Sequence, residues 1–163
     1  MKKNILWMSG FIMFCLFFGC GFNIPDGINK VYYPSGKLKK ESNYKNGKLE
    51  GISKKYHENG ELALIADFKN GKSNGFCKRY YKSGVLKEES NFKNGRAHGV
   101  TLDYFPNGKL KSERNFVNGK AHGLGKLYDQ EGRVRATTEF NNGKRILTQF
   151  LDENGKVLGE KIW

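Results

Sequence analysis

Residues 104–127 read YFPNGKLKSERNFVNGKAHGLGKL, and this stretch decides the fold of the chain. It contains two glycine turns, Asn107-Gly108 and Asn118-Gly119, with a single run of residues between them. An Asn-Gly pair is a strong hairpin signal because both central residues of a type I′ turn need positive φ. Leu110 and Phe116 fall on the same side of an alternating pattern, which is typical of a half-buried strand. The stretch therefore predicts an antiparallel β-hairpin.

The same pattern repeats along the chain from residue 32 onward, with a period of 24 residues four times and then 23. The units are residues 32–55, 56–79, 80–103, 104–127 and 128–150, followed by a capping half unit at 151–163. Their glycine turns would separate twelve strand segments. The sequence predicts an all-β protein, an elongated antiparallel β-meander or solenoid of about five two-stranded units stabilised by stacking.

Alternation within each unit predicts one apolar face. The residues expected to face inward on the first strand of each unit are Leu38, Lys40, Ser42, Tyr44, Leu62, Leu64, Ala66, Phe68, Leu86, Phe92, Leu110, Phe116, Val134 and Phe140. Those expected on the return strands are Ile52, Phe76, Val100 and Leu124, with Tyr56, Tyr80, Tyr104 and Tyr128.

The first residues are typical of an export signal. Two lysines precede an apolar stretch from Ile5 to Phe18, which is shorter than the roughly 20 residues that span a membrane. Gly19-Cys20 at its end resembles a bacterial lipobox, in which the cysteine is diacylated after cleavage. We therefore expect a signal peptide at 1–20 with lipidation at Cys20, and a short tether at 21–31. The expected location is the bacterial cell envelope, in either leaflet; the alternative is an uncleaved N-terminal anchor helix.

The repeated unit, Y-x-x-x-G-x-L-x-x-x-x-x-F-x-N-G-K-x-x-G, is similar to the MORN (membrane occupation and recognition nexus) repeat. The match is best at residues 94–99 and 118–125, and the 24-residue form resembles a bacterial MORN-variant family across residues 32–150. The resemblance implies a repeated β-hairpin fold that supplies a binding surface. We expect a non-catalytic, membrane-anchored interaction module that binds a protein partner. Proteins of that family are often labelled antitoxins, so the alternative is an antitoxin or immunity protein that neutralises a protein toxin.

The charge balance of the chain is strongly basic, with 29 Lys and Arg against 16 Asp and Glu, a formal net charge of +13. One basic residue follows each Asn-Gly turn: Lys48, Lys72, Arg96, Lys120 and Lys144. If the turns align, these residues form a ridge that attracts anionic lipid headgroups, at about 1 kcal/mol per basic residue, or an acidic partner. The alternative is a solvated ridge that keeps the sheet soluble. The export signal argues against nucleic acid as a partner.

The sequence offers no convincing catalytic or metal centre. His98 and His122 occupy the same slot in adjacent units, about 9–10 Å apart, whereas a single Zn²⁺ needs ligand atoms at about 2.1 Å. His57 is isolated. Cys77 follows Phe76, so we expect it on the face opposite to that residue, with no recognisable catalytic partner. We therefore expect no enzyme activity, no metal and no cofactor.

Overall fold

The computed structural model describes residues 24–163, all of whose regular elements are β-strands. The predicted signal peptide or anchor helix at 1–20, including Cys20, lies outside the described residues. The strands are β1 Gly27–Tyr32, β2 Leu38–Lys45, β3 Lys48–Tyr56, β4 Leu62–Lys69, β5 Lys72–Tyr80, β6 Leu86–Lys93, β7 Arg96–Ala97, β8 Gly99–Tyr104, β9 Leu110–Val117, β10 Lys120–Ala121, β11 Gly123–Tyr128, β12 Val134–Asn141, β13 Lys144–Leu151 and β14 Val157–Ile162.

These strands form a single antiparallel sheet in chain order. The short strands β7 and β10 are the first residues of two return strands that are interrupted at His98 and His122 before continuing as β8 and β11. Twelve consecutive strands therefore make up the path of the sheet, which confirms the predicted meander of stacked hairpins.

The five Asn-Gly turns at residues 46–47, 70–71, 94–95, 118–119 and 142–143 have the predicted backbone conformation, whereas at Asn107-Gly108 only the glycine has a positive φ. The asparagines of the five turns have φ between 51° and 55°, and the glycines that follow them have φ between 69° and 90°. An L-residue with a branched side chain is strained at such angles, whereas asparagine and glycine adopt them readily. Each turn after the first is also hydrogen-bonded to the preceding unit, as in the 2.8 Å bond from the Gly71 N–H to the Leu49 carbonyl. The turns are therefore held in line along one edge.

The first strand lies within the segment that we expected to be a tether. Residues 27–32, Gly-Ile-Asn-Lys-Val-Tyr, form β1 and pair with β2. They copy the return-strand residues 51–56, Gly-Ile-Ser-Lys-Lys-Tyr, and Gly27 lies opposite Tyr44 as Gly51 lies opposite Phe68. The repeat therefore begins earlier than residue 32, and the expected tether is correspondingly shorter.

The prediction of which return-strand residues face inward was wrong for Ile52 and its equivalents. It was right for the tyrosines, since Tyr56 and Tyr80 are half-buried and lie opposite Leu62 and Leu86 after a shift in register. Ile52, Val100 and Leu124 are 40%, 51% and 56% exposed. The most buried side chains instead form a row across neighbouring strands, which we call the central row: Ser42, Ser53, Ala66, Cys77 and Ser90, each at most 5% exposed and each directly opposite the next. Directly opposite residues share a face of the sheet, so Ile52 and its equivalents lie on the other face.

Small side chains are the buried ones because this is a single-layer sheet, and only the centre of one face is covered by longer neighbours. Phe68 and Phe92 line the same pocket as Ala66 and Cys77 of the central row. Further along, a Cβ built on Gly125 would lie 3.2 Å from the ring of Phe140, which shows how closely the aromatic side chain approaches the row. We call this side of the sheet the groove face. The aromatic residues predicted to face inward on the first strand of each unit are half-buried on it: Tyr44, Phe68, Phe92, Phe116 and Phe140.

Candidate functional site

The five basic residues predicted to form a ridge lie on one edge of the sheet, which we call the basic edge. All five are exposed. Each unit packs on the one before it: a Cβ built on Gly71 would lie 3.7 Å from the Cβ of Lys48, and the same contact recurs between Gly119 and Arg96. The basic side chains therefore follow one another every second strand, about 9–10 Å apart.

Further positive charge lies on the same edge at its N-terminal end, where Lys45, Lys69 and Lys93 precede the first three Asn-Gly turns. Two carboxylates near this edge partly offset its positive charge. Asp26 accepts a hydrogen bond from the Asn46 N–H at 2.6 Å, and Glu50 accepts one from the Asn70 N–H at 2.8 Å. None of the basic residues of this edge forms a salt bridge with another residue in the part of the chain that the structure describes. The edge is therefore strongly electropositive.

The opposite edge, formed by the turns around Gly36, Gly60, Gly84, Gly108, Gly132 and Gly155, has mixed charge. Its basic residues are Lys37, Lys82, Lys109, Arg133 and Lys156, and its acidic residues are Glu58, Glu61, Asp129, Glu131, Asp152 and Glu153. Arg133 is representative, since its guanidinium contacts Asp129 at 2.9 Å, Glu131 at 3.3 Å and Glu153 at 3.5 Å. The two edges of the sheet thus differ in charge: the basic edge has eight basic residues, whereas the opposite edge has five together with six acidic residues.

Cross-strand ion pairs neutralise much of the charge on the sheet itself. Lys30 contacts Glu41 at 3.3 Å, Lys78 contacts Glu89 at 3.0 Å, and Lys126 contacts Glu113 at 2.9 Å. The hydrogen bond from Lys126 lowers the pKa of Glu113 below its ordinary value, against a smaller opposing effect of desolvation. Glu41, Glu89 and Glu113 therefore act as ion-pair partners of lysines on neighbouring strands.

The groove face carries a pocket that the sequence did not reveal. It has a volume of about 300 Å³ and spans strands β2 to β6. The apolar residues Leu49, Leu64, Phe68 and Phe92 line it, the central row provides its floor, and Lys40, Lys55 and Arg79 are its basic residues. The pairing register set by the Asn-Gly turns could have predicted this pocket, because that register places these side chains on one face of the sheet.

The histidines have structural contacts. The Nε2 atom of His57 lies 3.1 Å from the carbonyl oxygen of Tyr80. The hydroxyl groups of Tyr33 and Tyr81, at the equivalent positions of other units, donate hydrogen bonds to the carbonyls of Tyr56 and Tyr104 at 2.7 and 2.8 Å. The side chain at this position therefore ties one unit to the next.

His98 and His122 are exposed at the strand interruptions, where their backbone N–H groups donate to the carbonyls of Asn91 and Asn115. Within residues 24–163, no three His, Cys, Asp or Glu side chains are grouped as metal ligands would be. These two histidines therefore contribute backbone hydrogen bonds that are repeated from one unit to the next.

Cys77 is buried in the central row, on the face opposite to Phe76, as its position in the alternation predicts. Burial raises the pKa of its thiol above the ordinary value, opposed by the nearby positive charge of Arg79. A higher pKa lowers the fraction of the nucleophilic thiolate at neutral pH. The site is therefore typical of a packed, unreactive cysteine.

These features define a class of protein, a repeat protein in which stacked β-hairpins form one continuous antiparallel sheet. The family model described as "MORN repeat variant" matches residues 25–46, 49–70, 74–94 and 97–118, and the model described as "MORN repeat" matches residues 115–132. The chain belongs to the MORN-repeat-variant family. The first matched unit starts before β1, in agreement with the earlier start of the repeat seen in the structure.

Several solved structures are similar to parts of this chain. "Crystal Structure of TarM" is 17% identical with a TM-score of 0.34, covering 69% of this chain and 18% of that one. The accessory secretory protein 1, 2 and 3 structure from Streptococcus pneumoniae is 16% identical with a TM-score of 0.37, covering 64% and 19%. The Gap123 glycosylation-associated protein complex from Streptococcus agalactiae is 17% identical with a TM-score of 0.24, covering 79% and 20%.

This chain thus spans a fifth or less of the length of these three matched chains. The comparison with curated proteins gave no match. Over residues 24–163, the structure contains no helix of sufficient length and hydrophobicity to cross a membrane.

Proposed function

We propose that this protein is a non-catalytic interaction module that is anchored to the bacterial cell envelope through a lipid on Cys20. In this proposal the basic edge lies against the anionic headgroups of the membrane, and the faces of the sheet stay available to a protein partner. The observation that carries the proposal is the alignment of Lys48, Lys72, Arg96, Lys120 and Lys144 along one edge, without salt-bridge partners among the described residues.

The physical basis is electrostatic. Each Lys or Arg near a negatively charged bilayer contributes about 1 kcal/mol of attraction within a Debye length of the surface. The repeated spacing lets several side chains reach a plane surface together, because all of them project from the same edge. The two acyl chains of a diacylated Cys20 would hold the protein at the membrane by themselves, so the basic edge would mainly set its orientation.

The lipid anchor is tested by feeding cells radiolabelled palmitate. We expect label on the wild-type protein and none on Cys20→Ala. The absence of label on both, or equal label on both, would remove the anchor from the proposal.

The membrane-facing edge is tested in the Cys20→Ala protein, which separates electrostatic binding from anchoring. Replacing the five basic residues of the basic edge by Gln should weaken co-sedimentation with phosphatidylglycerol vesicles on the order of tenfold or more. The matched control replaces Lys37, Lys82, Lys109, Arg133 and Lys156 of the opposite edge by Gln, with the same loss of charge. Equal weakening in the two variants would show that net charge, and not this edge, governs binding.

A protein partner is tested by capture from solubilised envelope. The antitoxin interpretation stays a prediction from family resemblance. Its test is genetic: deletion of an adjacent toxin gene should rescue growth of a strain that lacks this protein.

A further inference from the structure

The geometry points to a specific binding site on the groove face, where Lys40 and Lys55 recognise a carboxylate of an acidic, extended peptide segment of a protein partner. This inference deepens the protein-partner part of the proposed function and does not involve the basic edge. It rests on the pocket of about 300 Å³ between strands β2 and β6.

Two positive charges lie side by side on the groove face without a counterion among the described residues. Lys40 and Lys55 are directly opposite each other on neighbouring strands and share a face. Residues so placed have Cβ atoms about 4.5–5.5 Å apart, and like charges at that separation are destabilising. Within residues 24–163 neither lysine forms a salt bridge, and the Nζ atom of Lys40 contacts the neutral side chain of Tyr44, 3.4 Å from its hydroxyl and 5.8 Å from its ring centroid.

Other like-charge pairs lie beside the Asn-Gly turns, as Lys45 and Lys48 do, or have counterions: Glu88 lies opposite Asp103, and each of these carboxylates contacts an arginine. On the same row of the groove face, Arg79 lies opposite Glu88 and contacts it at 2.9 Å. On the other face, Lys30 lies opposite Glu41 and contacts it at 3.3 Å. Among the like-charge pairs that lie away from the turns in residues 24–163, Lys40 and Lys55 are therefore the pair without an oppositely charged contact. An anion placed between the two ammonium groups would remove the repulsion and accept a hydrogen bond from each.

The shape and lining of the pocket favour a ligand that is both anionic and apolar. Leu49, Leu64, Phe68 and Phe92 line it beside the two lysines, so the ligand must combine an anion with an apolar group. A volume of about 300 Å³ lies at the lower limit of pockets for small molecules and suits one or two side chains of a peptide. The pocket is open along the sheet surface, so a longer segment can lie across it.

The spacing favours an extended peptide. The row that contains Lys55 and Leu64 lies two residues along the strands from the row of Ser53 and Ala66. Residues i and i+2 of an extended segment project to the same side about 6.6–6.8 Å apart, which matches a separation of two residues in a strand. A Glu at i would reach the lysines while an apolar residue at i+2 lies over Ala66, between the aromatic rings.

The experiment measures fluorescence anisotropy of the full-length protein in detergent with a fluorescein-labelled octapeptide of alternating Glu and Leu. The comparison peptide has Gln in place of each Glu. We expect the acidic peptide to bind at least about tenfold more tightly, and its binding to weaken with added salt, because the lysines are partly exposed. Equal binding of the two peptides would overturn the inference.

Substitutions locate the site. Lys40→Gln combined with Lys55→Gln should weaken binding of the acidic peptide about tenfold or more. The matched control, Lys37→Gln combined with Lys82→Gln, loses the same charge from the opposite edge and should bind as wild type. If both double variants weaken binding equally, the peptide senses net charge and the inference fails.

Lys55→Glu separates recognition from folding. It replaces the like-charge pair by a cross-strand ion pair with Lys40, so its Tm should equal or exceed that of the wild type while binding of the acidic peptide is lost. A lower Tm would assign the lysine pair a structural role and overturn the inference, as would retained binding.

The same variants distinguish this inference from the proposed function. Binding of the Cys20→Ala protein to phosphatidylglycerol vesicles should be unchanged by Lys40→Gln with Lys55→Gln. Substitution of the basic edge should leave most of the preference for the acidic peptide over its Gln counterpart. Loss of vesicle binding in the groove variant, without a preference for the acidic peptide, would show that the pocket binds headgroups and would overturn the inference.

Discussion

Replacement of Gly119 by Val tests the turn geometry on which the stacked sheet depends. Gly119 has φ of 84° and follows Asn118 at 52°. A Cβ at this position would lie 3.7 Å from the Cβ of Arg96, which is ordinary van der Waals contact. The cost of the substitution is therefore backbone strain and not a clash. A non-glycine residue held at such a φ costs about 1–3 kcal/mol, with a β-branched residue at the upper end.

The expected result is a lower midpoint of thermal unfolding, followed by circular dichroism of the β-sheet signal. A loss of about 2 kcal/mol corresponds to about 4–8 °C for a chain of this length. Gly119→Asn, which tolerates the left-handed conformation, should lose clearly less. Gly159→Val is the matched control, because Gly159 has no positive φ and nothing lies within 4 Å of its added Cβ. Equal midpoints for Gly119→Val and the wild type, or an equal loss for Gly159→Val, would refute the turn assignment.

Three further substitutions test packing and charge. The hydroxyl groups of Ser42 and Ser53 are 2.6 Å apart and buried. Changing either residue to Ala should lower the free energy of unfolding in urea by about 1–3 kcal/mol, and changing both should cost less than the sum. Additive losses would argue against a hydrogen bond between the two serines. Gly125→Val should lower the free energy of unfolding by about 1–3 kcal/mol through crowding, since an added Cβ would lie 3.1–3.3 Å from three atoms of neighbouring residues. An unchanged midpoint of urea unfolding would contradict that close approach. Because Lys126 lowers the pKa of Glu113, the pair stabilises the fold above the ordinary glutamate pKa, and this contribution is lost as pH falls through the lowered value. Glu113→Gln should therefore be slightly less stable than the wild type at pH 7 and equal to it near about pH 2. The difference is expected to be small because both side chains are partly exposed to solvent. A gap that persists in acid would contradict the pairing.

The sequence predicts the hairpins well because asparagine and glycine report backbone conformation directly. The Asn-Gly pairs at residues 46–47, 70–71, 94–95, 118–119 and 142–143 are turns with positive φ at both residues, and together with the second set of glycine turns they define the meander. The position of the basic edge follows in turn, because each basic residue sits at a fixed offset from its turn.

The buried face was harder to predict because hydrophobicity was a misleading guide in a single-layer sheet. Ile52 is apolar yet 40% exposed, whereas Ser53 beside it is 3% exposed. The turn register carries the information that hydrophobicity does not: an Asn-Gly turn pairs Lys45 with Lys48 and Tyr44 with Leu49, so the odd-numbered residues of β3 share the face of Tyr44. The groove pocket was missed for the same reason, because only this register brings Lys40 and Lys55 together.

The start of the repeat was missed for a different reason. β1 has no Asn-Gly turn before it within the described residues, so the strongest local signal is lacking there. The start of the repeat could be recognised only from the strand itself, because residues 27–32 are similar in sequence to the return strand at residues 51–56.

The central claim is that stacked hairpins carry the Asn-Gly turns along one edge from Lys48 to Lys144. Double electron–electron resonance between spin labels on Lys48→Cys and Lys144→Cys, in a protein whose native cysteines are replaced by Ala, measures that edge directly. Eight strand spacings separate the two positions, so the account predicts a narrow distribution of distances centred at about 40 Å. A distance half as long, or a distribution without a defined maximum, would contradict it.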